Sequence, residues 1–278
     1  YKRQTLGYIK KDTLVHDLSG ASKLIAFILL SIIVMTSFDT RFLIFVMTLS
    51  LISMKIAKIK LEEISFLIKV VAVFSIINLL AIYIFEPEYG VKLYGTRTVL
   101  WEGFGRYSLT AEQLFYELNV GLKYFSTIPL AIIFILTTDP SEFSSSLNRI
   151  GLSYKISYAV ALALRYIPDI QASYYDIRSA SQARGIEMSR KTSLIKRVKA
   201  SSNIVLPLIF DSLERIETIS QAMELRRFGK NKERSWYRAK PFKKADFFVI
   251  IGVVLIVGIG IGLFFVNEGR FFNPFYPR

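Results

Sequence analysis

Ala159-Val160-Ala161-Leu162-Ala163-Leu164-Arg165-Tyr166-Ile167-Pro168 opens a long helical pattern that ends Ser181-Gln182-Ala183-Arg184-Gly185. A second pattern starts near Asn203, passes Pro207, and ends Ser220-Gln221-Ala222-Met223-Glu224-Leu225-Arg226-Arg227-Phe228-Gly229. Both carry Ser-Gln-Ala near their ends, then arginine, then glycine. Gly185 and Gly229 are the expected left-handed exits. An arginine in the last turn faces the negative end of the helix dipole, so it is tolerated there and projects its guanidinium past the rod. Each rod is expected to span roughly 25 residues, about 37 Å at 1.5 Å per residue. Ile170, Tyr174 and Ile177 share one face of the first rod. Ile209, Leu213, Ile216, Ser220 and Met223 share one face of the second, with Glu214, Arg215 and Glu217 opposite. These apolar stripes either pack on each other or present a groove. The stretch Ala159–Leu164 is apolar on nearly all sides and is expected in or against a membrane.

The surrounding chain sets the class. Of its 278 residues, 52% are apolar and 14% aromatic, and the apolar residues fall in long runs, which points to a multi-span membrane protein. Net charge is +14, with the bases beside and between apolar runs, as in cytoplasmic loops rather than a nucleic-acid face. With no cysteine, disulfides and thiol chemistry are excluded. The basic start (Lys2, Arg3, Lys10, Lys11) precedes an apolar run with no small-residue cleavage site, which reads as a retained span.

Five spans are expected. Leu24–Phe38 and Phe42–Met54, joined by Asp39-Thr40-Arg41, are short against the roughly 20 residues that cross a bilayer, so a thinned membrane or a re-entrant hairpin are both open. Lys55, Lys58 and Lys60 return the chain to the basic side. Ile64–Phe85 is the third span, from which Lys69 can snorkel. Residues 86–110 hold three acids and three bases and read as an external loop. Ala111–Leu136 is the fourth span. Residues 137–245 carry 20 Lys/Arg against 10 Asp/Glu and read as cytoplasmic, with Asp139 or Ser141 capping a short helix before Leu147–Gly151. The linker 230–245 (Lys232, Arg234, Trp236, Tyr237, Arg238, Lys240, Lys243, Lys244) suits anionic headgroups. Phe247–Val266 is the last span, with Gly252, Gly258, Gly260 and Gly262 offered as a face for close packing. The expected division is therefore 1–136, a membrane domain of four spans; 137–245, a cytoplasmic domain of about three helices, two of them long and crossing; and 246–278, a final span and external tail. The fold class is all-α and polytopic, with the N-terminus cytoplasmic and the C-terminus external.

Residue chemistry points away from an enzyme. There is no Walker A or Rossmann glycine pattern; Gly229-Lys230 is followed by Asn231. The lone His16 has no metal-ligand spacing and reads as a capping or surface residue. Lys123, inside the fourth span, is expected to pair with a polar group of another span, with Asn119 one turn away on its own face. Asn78 reads as an interhelical hydrogen bond.

Ala183-Arg184-Gly185 and the second arginine after Ala222-Met223-Glu224 resemble the paired Ala-Arg-Gly motifs of the T component of energy-coupling factor (ECF) transporters. His16-Asp17-Leu18 with Lys23, Thr137-Thr138-Asp139-Pro140 and Leu164-Arg165-Tyr166-Ile167-Pro168 agree with that family too. The second motif departs from it, reading Leu225-Arg226-Arg227, so either Arg226 or Arg227 is the counterpart of the docking arginine. The resemblance implies a non-catalytic membrane scaffold between two ABC ATPases and a small membrane-embedded, substrate-binding S component. Ala183, Arg184, Gly185, Leu225, Arg226 and Arg227 would then be the ATPase-docking positions, with ATP and Mg bound by the partner ATPases and no cofactor in this chain. In that family the coupling helices cross, their arginine ends sit in the ATPases, and the S component selects the vitamin or metal imported. The two unlike motifs suggest unlike sockets, hence a heterodimer of ATPases. Two other classes remain open: a stand-alone channel or ion-coupled transporter, which would want charges through several spans where mainly Lys69 and Lys123 stand, and a non-transport anchor with basic lipid- or protein-binding helices.

Overall fold

The computed structural model describes residues 8, 11–103, 107–185, 194–231, 235–236 and 239–275; side chains of 194–200 are left undescribed. Lys2, Arg3, Lys10, Arg106, Lys232, Arg234, Tyr237, Arg238 and Arg278 lie outside the described residues. Two compact units form among the described residues, one from those within 8–139 and 240–275, the other from those within 140–239.

The first unit holds α1 (Leu14–Asp17), α2 (Gly20–Thr36), α3 (Thr40–Ile56), α4 (Leu61–Phe85), α5 (Tyr89–Tyr94), a hairpin of β1 (Val99–Trp101) and β2 (Leu109–Thr110), α6 (Ala111–Thr137) and α10 (Lys244–Val266). The second holds α7 (Pro140–Arg149), α8 (Tyr154–Ala183) and α9 (Leu194–Leu225). The protein is thus an all-α polytopic membrane protein. Helices α4, α6 and α10 are long and apolar enough to cross a bilayer. Helices α2 and α3 have 17 residues each, about 25 Å of rise against a hydrocarbon core of about 30 Å.

Buried apolar residues of α2 and α3 (Ile33, Val34, Phe42, Leu43, Val46) form the core, with Leu122 and Leu130 of α6 and Ile256, Val257 and Phe264 of α10 packed around them. Of the four glycines offered as a packing face, only Gly260 serves. A Cβ there would stand 2.6 Å from Ile33 Cγ1 and 3.0 Å from Phe42 Cζ, whereas one at Gly252, Gly258 or Gly262 meets nothing within 4 Å. Asn78 accepts from Tyr124 Oη at 3.0 Å, the interhelical bond its type predicts.

Polar contacts gather the loops at two ends of this unit. At one end the tail after α10 lies along the α2–α3 turn. Phe38 N donates to Arg270 O at 2.8 Å, and the Phe38 and Phe271 rings stack at 4.4 Å. The Asp39 carboxylate, fully buried, accepts from Arg41 Nη2 and from Asn267 Nδ2, both at 2.8 Å. Asn273 Nδ2 donates to Tyr94 O, and Phe275 packs on Tyr94 and Phe115. At the other end Lys11 Nζ donates to Lys58 O and Glu63, Lys23 Nζ to Thr137 O, and Lys240 Nζ to His16 O. There Asp246 joins two helix starts, accepting from Ser19 N (2.7 Å), Ser22 Oγ (2.6 Å) and Lys243 N (2.7 Å).

Several elements differ from expectation. The segment 86–110 is built rather than open: Glu112 of α6 accepts from Thr98 N and Gln113 Oε1 from Gly90 N, holding α5 and the hairpin on the start of α6. Gly90 is obligatory, since a Cβ would sit 2.5 Å from the Glu112 backbone. His16 is buried, not a surface residue; its N–H donates to the Thr13 cap, and its Nδ1 lies 2.7 Å from Thr13 Oγ1. Lys123 Nζ donates to Met35 O at 2.8 Å and sits 3.0 Å from the Phe38 ring centroid. It thus completes a carbonyl in the last turn of α2, a site where a cation is favoured. The pairing expected of Lys123 with a polar group of another span is met by that carbonyl, while Asn119, one turn away on its face, accepts from Thr40 Oγ1.

Candidate functional site: the arginine-tipped helix ends

Helices α8 and α9 run to 30 and 32 residues, about 45 and 48 Å. Both exceed the expected length. α8 starts at Tyr154, where Ser153 caps it by accepting from Ile156 N. α9 starts at Leu194 rather than near Asn203, because Lys196, Arg197, Lys199 and Ala200 are good helix formers with no breaker among them. Pro168 and Pro207 lie inside the helices, where each removes one backbone donor.

The two rods lie antiparallel. Phe228, just past α9, packs its ring 5.4 Å from Tyr154 and 4.8 Å from Tyr158 at the start of α8, and the Arg215 guanidinium stands 6.0 Å from the Tyr166 ring. Because the end of α9 lies beside the start of α8, the two arginine tips are at opposite ends of the pair. On α9 the covered residues are Ile204, fully buried, then Leu208, Ser212, Arg215 and Ile219. The stripe of Ile209, Leu213 and Ile216 stays exposed, joined by Phe210. Ser220 of that stripe is exposed too, whereas Met223 is half-buried; on α8 Ile170 is exposed and Tyr174 and Ile177 are half-buried.

The local geometry of the two tips is equivalent, residue for residue. α8 ends at Ala183; Arg184 is its C-cap, with N–H donated to Ala180 O and Ser181 O, and Gly185 follows at φ +83° with N–H donated to Gln182 O. α9 ends at Leu225; Arg226 donates to Ala222 O, and Arg227 follows at φ +53° with N–H donated to Glu224 O at 2.8 Å. Phe228 N then donates to Met223 O at 2.9 Å, completing a Schellman end. Arg226 therefore stands where Arg184 stands, and Arg227 occupies the place of Gly185. The expectation that Gly229 supplies the left-handed exit fails: Gly229 has φ +92° but lies two residues beyond the exit, and a non-glycine residue fills it. Arg184, Arg226 and Arg227 are all exposed. The short helix α7 packs on α8, and Trp236 Nε1 donates to Asn148 Oδ1 at its end. Among the described residues, no group of three or more His, Cys, Asp or Glu side chains is placed to hold a metal ion.

This chain is similar in sequence to known proteins. The cobalt transport protein family, CbiQ, matches residues 11–236. The energy-coupling factor transporter transmembrane protein EcfT of Staphylococcus aureus is 27% identical over 267 residues, 92% of this chain and 94% of its own. That of Heliobacterium modesticaldum is 27% identical over 254 residues, covering 90% and 93%. A putative ABC transporter ATP-binding protein of Bifidobacterium longum matches 167 residues at 27% identity, 57% of this chain but 21% of its own length. With the family match running over most of the chain, from before α1 to past α9, this protein belongs to the CbiQ family and is the transmembrane T component of an energy-coupling factor transporter.

Proposed function

We propose that Arg184 and Arg226 are plugs that seat in two ABC ATPases, and that α8 and α9 carry the motion of those ATPases to a substrate-binding S component in the membrane. The observation that carries this reading is the equivalence of the two tips, each an exposed C-cap arginine at opposite ends of an antiparallel pair. Two sites built on one plan, one per rod, suit two partners of one class. The Bifidobacterium relative supports it: a protein named for ATP binding contains a stretch similar to this chain. The chain itself is a non-catalytic subunit, with ATP and Mg held by the ATPases. The exposed Ile209, Phe210, Leu213 and Ile216 offer the S component an apolar face, and the cargo is a vitamin or other micronutrient chosen by that component. Arg227 in the place of Gly185 makes the second tip bulkier and more basic, which favours a heterodimer of ATPases.

Residues 137–245 then face the cytoplasm, between the membrane regions 1–136 and 246–278. The end that gathers Lys11, Lys23, Lys58 and Lys240 faces inward, and the tail after α10 outward, following the charge asymmetry. An arginine seated on a carboxylate makes charge-assisted, often bidentate bonds. Truncating one partner of such an interfacial pair costs roughly 2–5 kcal/mol, against roughly 0–1 kcal/mol for an exposed ion pair. The test is co-purification of ATPases with parent, Arg184→Ala and Arg226→Ala chains, alongside substrate uptake. Each variant is expected to lose ATPases and uptake. If both retain them at the parental level, the arginines are ordinary helix-end cations and the proposal fails.

A further inference from the structure

We propose that the first unit binds the acyl chain of an acidic phospholipid in a cavity between α2, α6 and α10. The cavity measures about 350 Å³, within the usual range for a small-molecule site of roughly 300–1,000 Å³. Its walls are apolar: Leu18, Phe27, Phe134, Val249 and Gly252 line it, with Lys23 at the lysine-bearing end. Phe27 and Phe134 stack at 5.4 Å and only 6° from parallel, forming a fixed wall between α2 and α6. From Lys23 to Leu30 on α2, and from Val249 to Ile256 on α10, the lining residues follow the helix axes for about 10 Å. The cavity therefore extends from the interface into the span, the path of the upper part of an acyl chain.

Charge selects the headgroup. Lys243 and Lys244 start α10, are exposed, and stand about 8–9 Å along the axis from Val249. Lys240 lies beside them in sequence with its Nζ on His16 O, next to Val15 and Leu18 of the cavity wall. The nearest carboxylate on α10, Asp246, is turned inward onto Ser19 N, Ser22 Oγ and Lys243 N. Against the exposed carboxylate of Asp17, which lies in sequence between the lining residues Val15 and Leu18, these lysines leave this end of the apolar slot net basic, complementary to a phosphodiester above a hydrocarbon chain. Lysines near an anionic surface each strengthen binding about fivefold. Gly252 keeps the slot open: a Cβ there meets nothing within 4 Å.

Native mass spectrometry of the full chain with equimolar phosphatidylglycerol and phosphatidylcholine of matched acyl chains tests this. One phosphatidylglycerol is expected to be retained per chain, preferred at least tenfold over phosphatidylcholine. Lys243→Gln with Lys244→Gln is expected to reduce that preference at least tenfold while phosphatidylcholine retention stays level. Gly252→Leu is expected to fill the slot and remove both lipids without lowering thermal stability; Ala26→Leu is the second filling variant should the first not accumulate. Equal retention of the two lipids overturns the proposal, as does undiminished retention by the filling variants. Complete loss of lipid when the whole transporter is assembled also overturns it, because a partner subunit then fills the slot.

Discussion

Replacing Arg227 by glycine is expected to stabilise the end of α9 and to leave ATPase docking intact. Arg227 holds φ +53° as the left-handed residue of a Schellman end. A side chain in that conformation costs roughly 1–2 kcal/mol. Glycine gives back roughly 0.4–1 kcal/mol through the greater freedom of its unfolded chain. The net gain is about 0.5–1 kcal/mol, or about a two- to fivefold change in the local opening equilibrium. Amide exchange at Phe228, whose N–H is bonded to Met223 O, reports that equilibrium directly and is expected to slow by this factor. Arg227→Asn is expected to fall between the two, since asparagine tolerates the left-handed region. In the same preparations Arg227→Gly is expected to hold ATPases as the parent does, while Arg226→Ala weakens them by roughly 30-fold or more, the equivalent of at least about 2 kcal/mol. Unchanged or faster exchange at Phe228 would refute the strain argument. Loss of ATPases in Arg227→Gly together with their retention in Arg226→Ala would refute the assignment of Arg226.

Other perturbations probe the membrane unit. Gly260→Ala is expected to drive α10 off Ile33 and Phe42 and lower stability by about 1–3 kcal/mol, seen as a lower melting temperature, whereas Gly262→Ala, with open space around it, is expected to be near neutral. Asp39 is pushed up by burial, but bonds from Arg41 and Asn267 and the backbone N–H of Phe42 outweigh this and hold its pKa below the ordinary value of 3.8. Its contribution is therefore full above about pH 4 and lost as pH falls through the lowered folded value. The melting temperature of the parent is expected to drop over that acidic window more than that of Asp39→Asn, and parallel acid profiles would sink the role of Asp39. For orientation, cysteines placed at Lys92 and Gly269 are expected to react with an impermeant thiol reagent in intact cells, and one at Lys55 only after permeabilisation; the reverse pattern would invert the topology.

Much of this architecture is legible in the chain, because its determinants are local. Apolar runs and the basic stretches act within a turn or a span, so the helices, and the presence of an arginine at the end of each rod, follow from residues three or four apart. Boundaries were less legible: α9 begins at Leu194 because nothing in the polar stretch after it breaks a helix, and α5 with its hairpin depends on Glu112 and Gln113 in the next element. Tertiary structure alone decided three matters. It made Arg226 the partner in position of Arg184, since the end of a helix is defined by which carbonyl each amide reaches and not by the order of two arginines. It turned Ile204, Leu208 and Ile219 of α9 inward and left Ile209, Leu213 and Ile216 out, because a helix with apolar residues on more than one face is oriented by what packs on it. It also joined Asp246 to Ser19, and Asp39 to Asn267, more than 220 residues apart. Residue type requires that a buried carboxylate find donors, but only the packing of distant helices decides which donors are within reach.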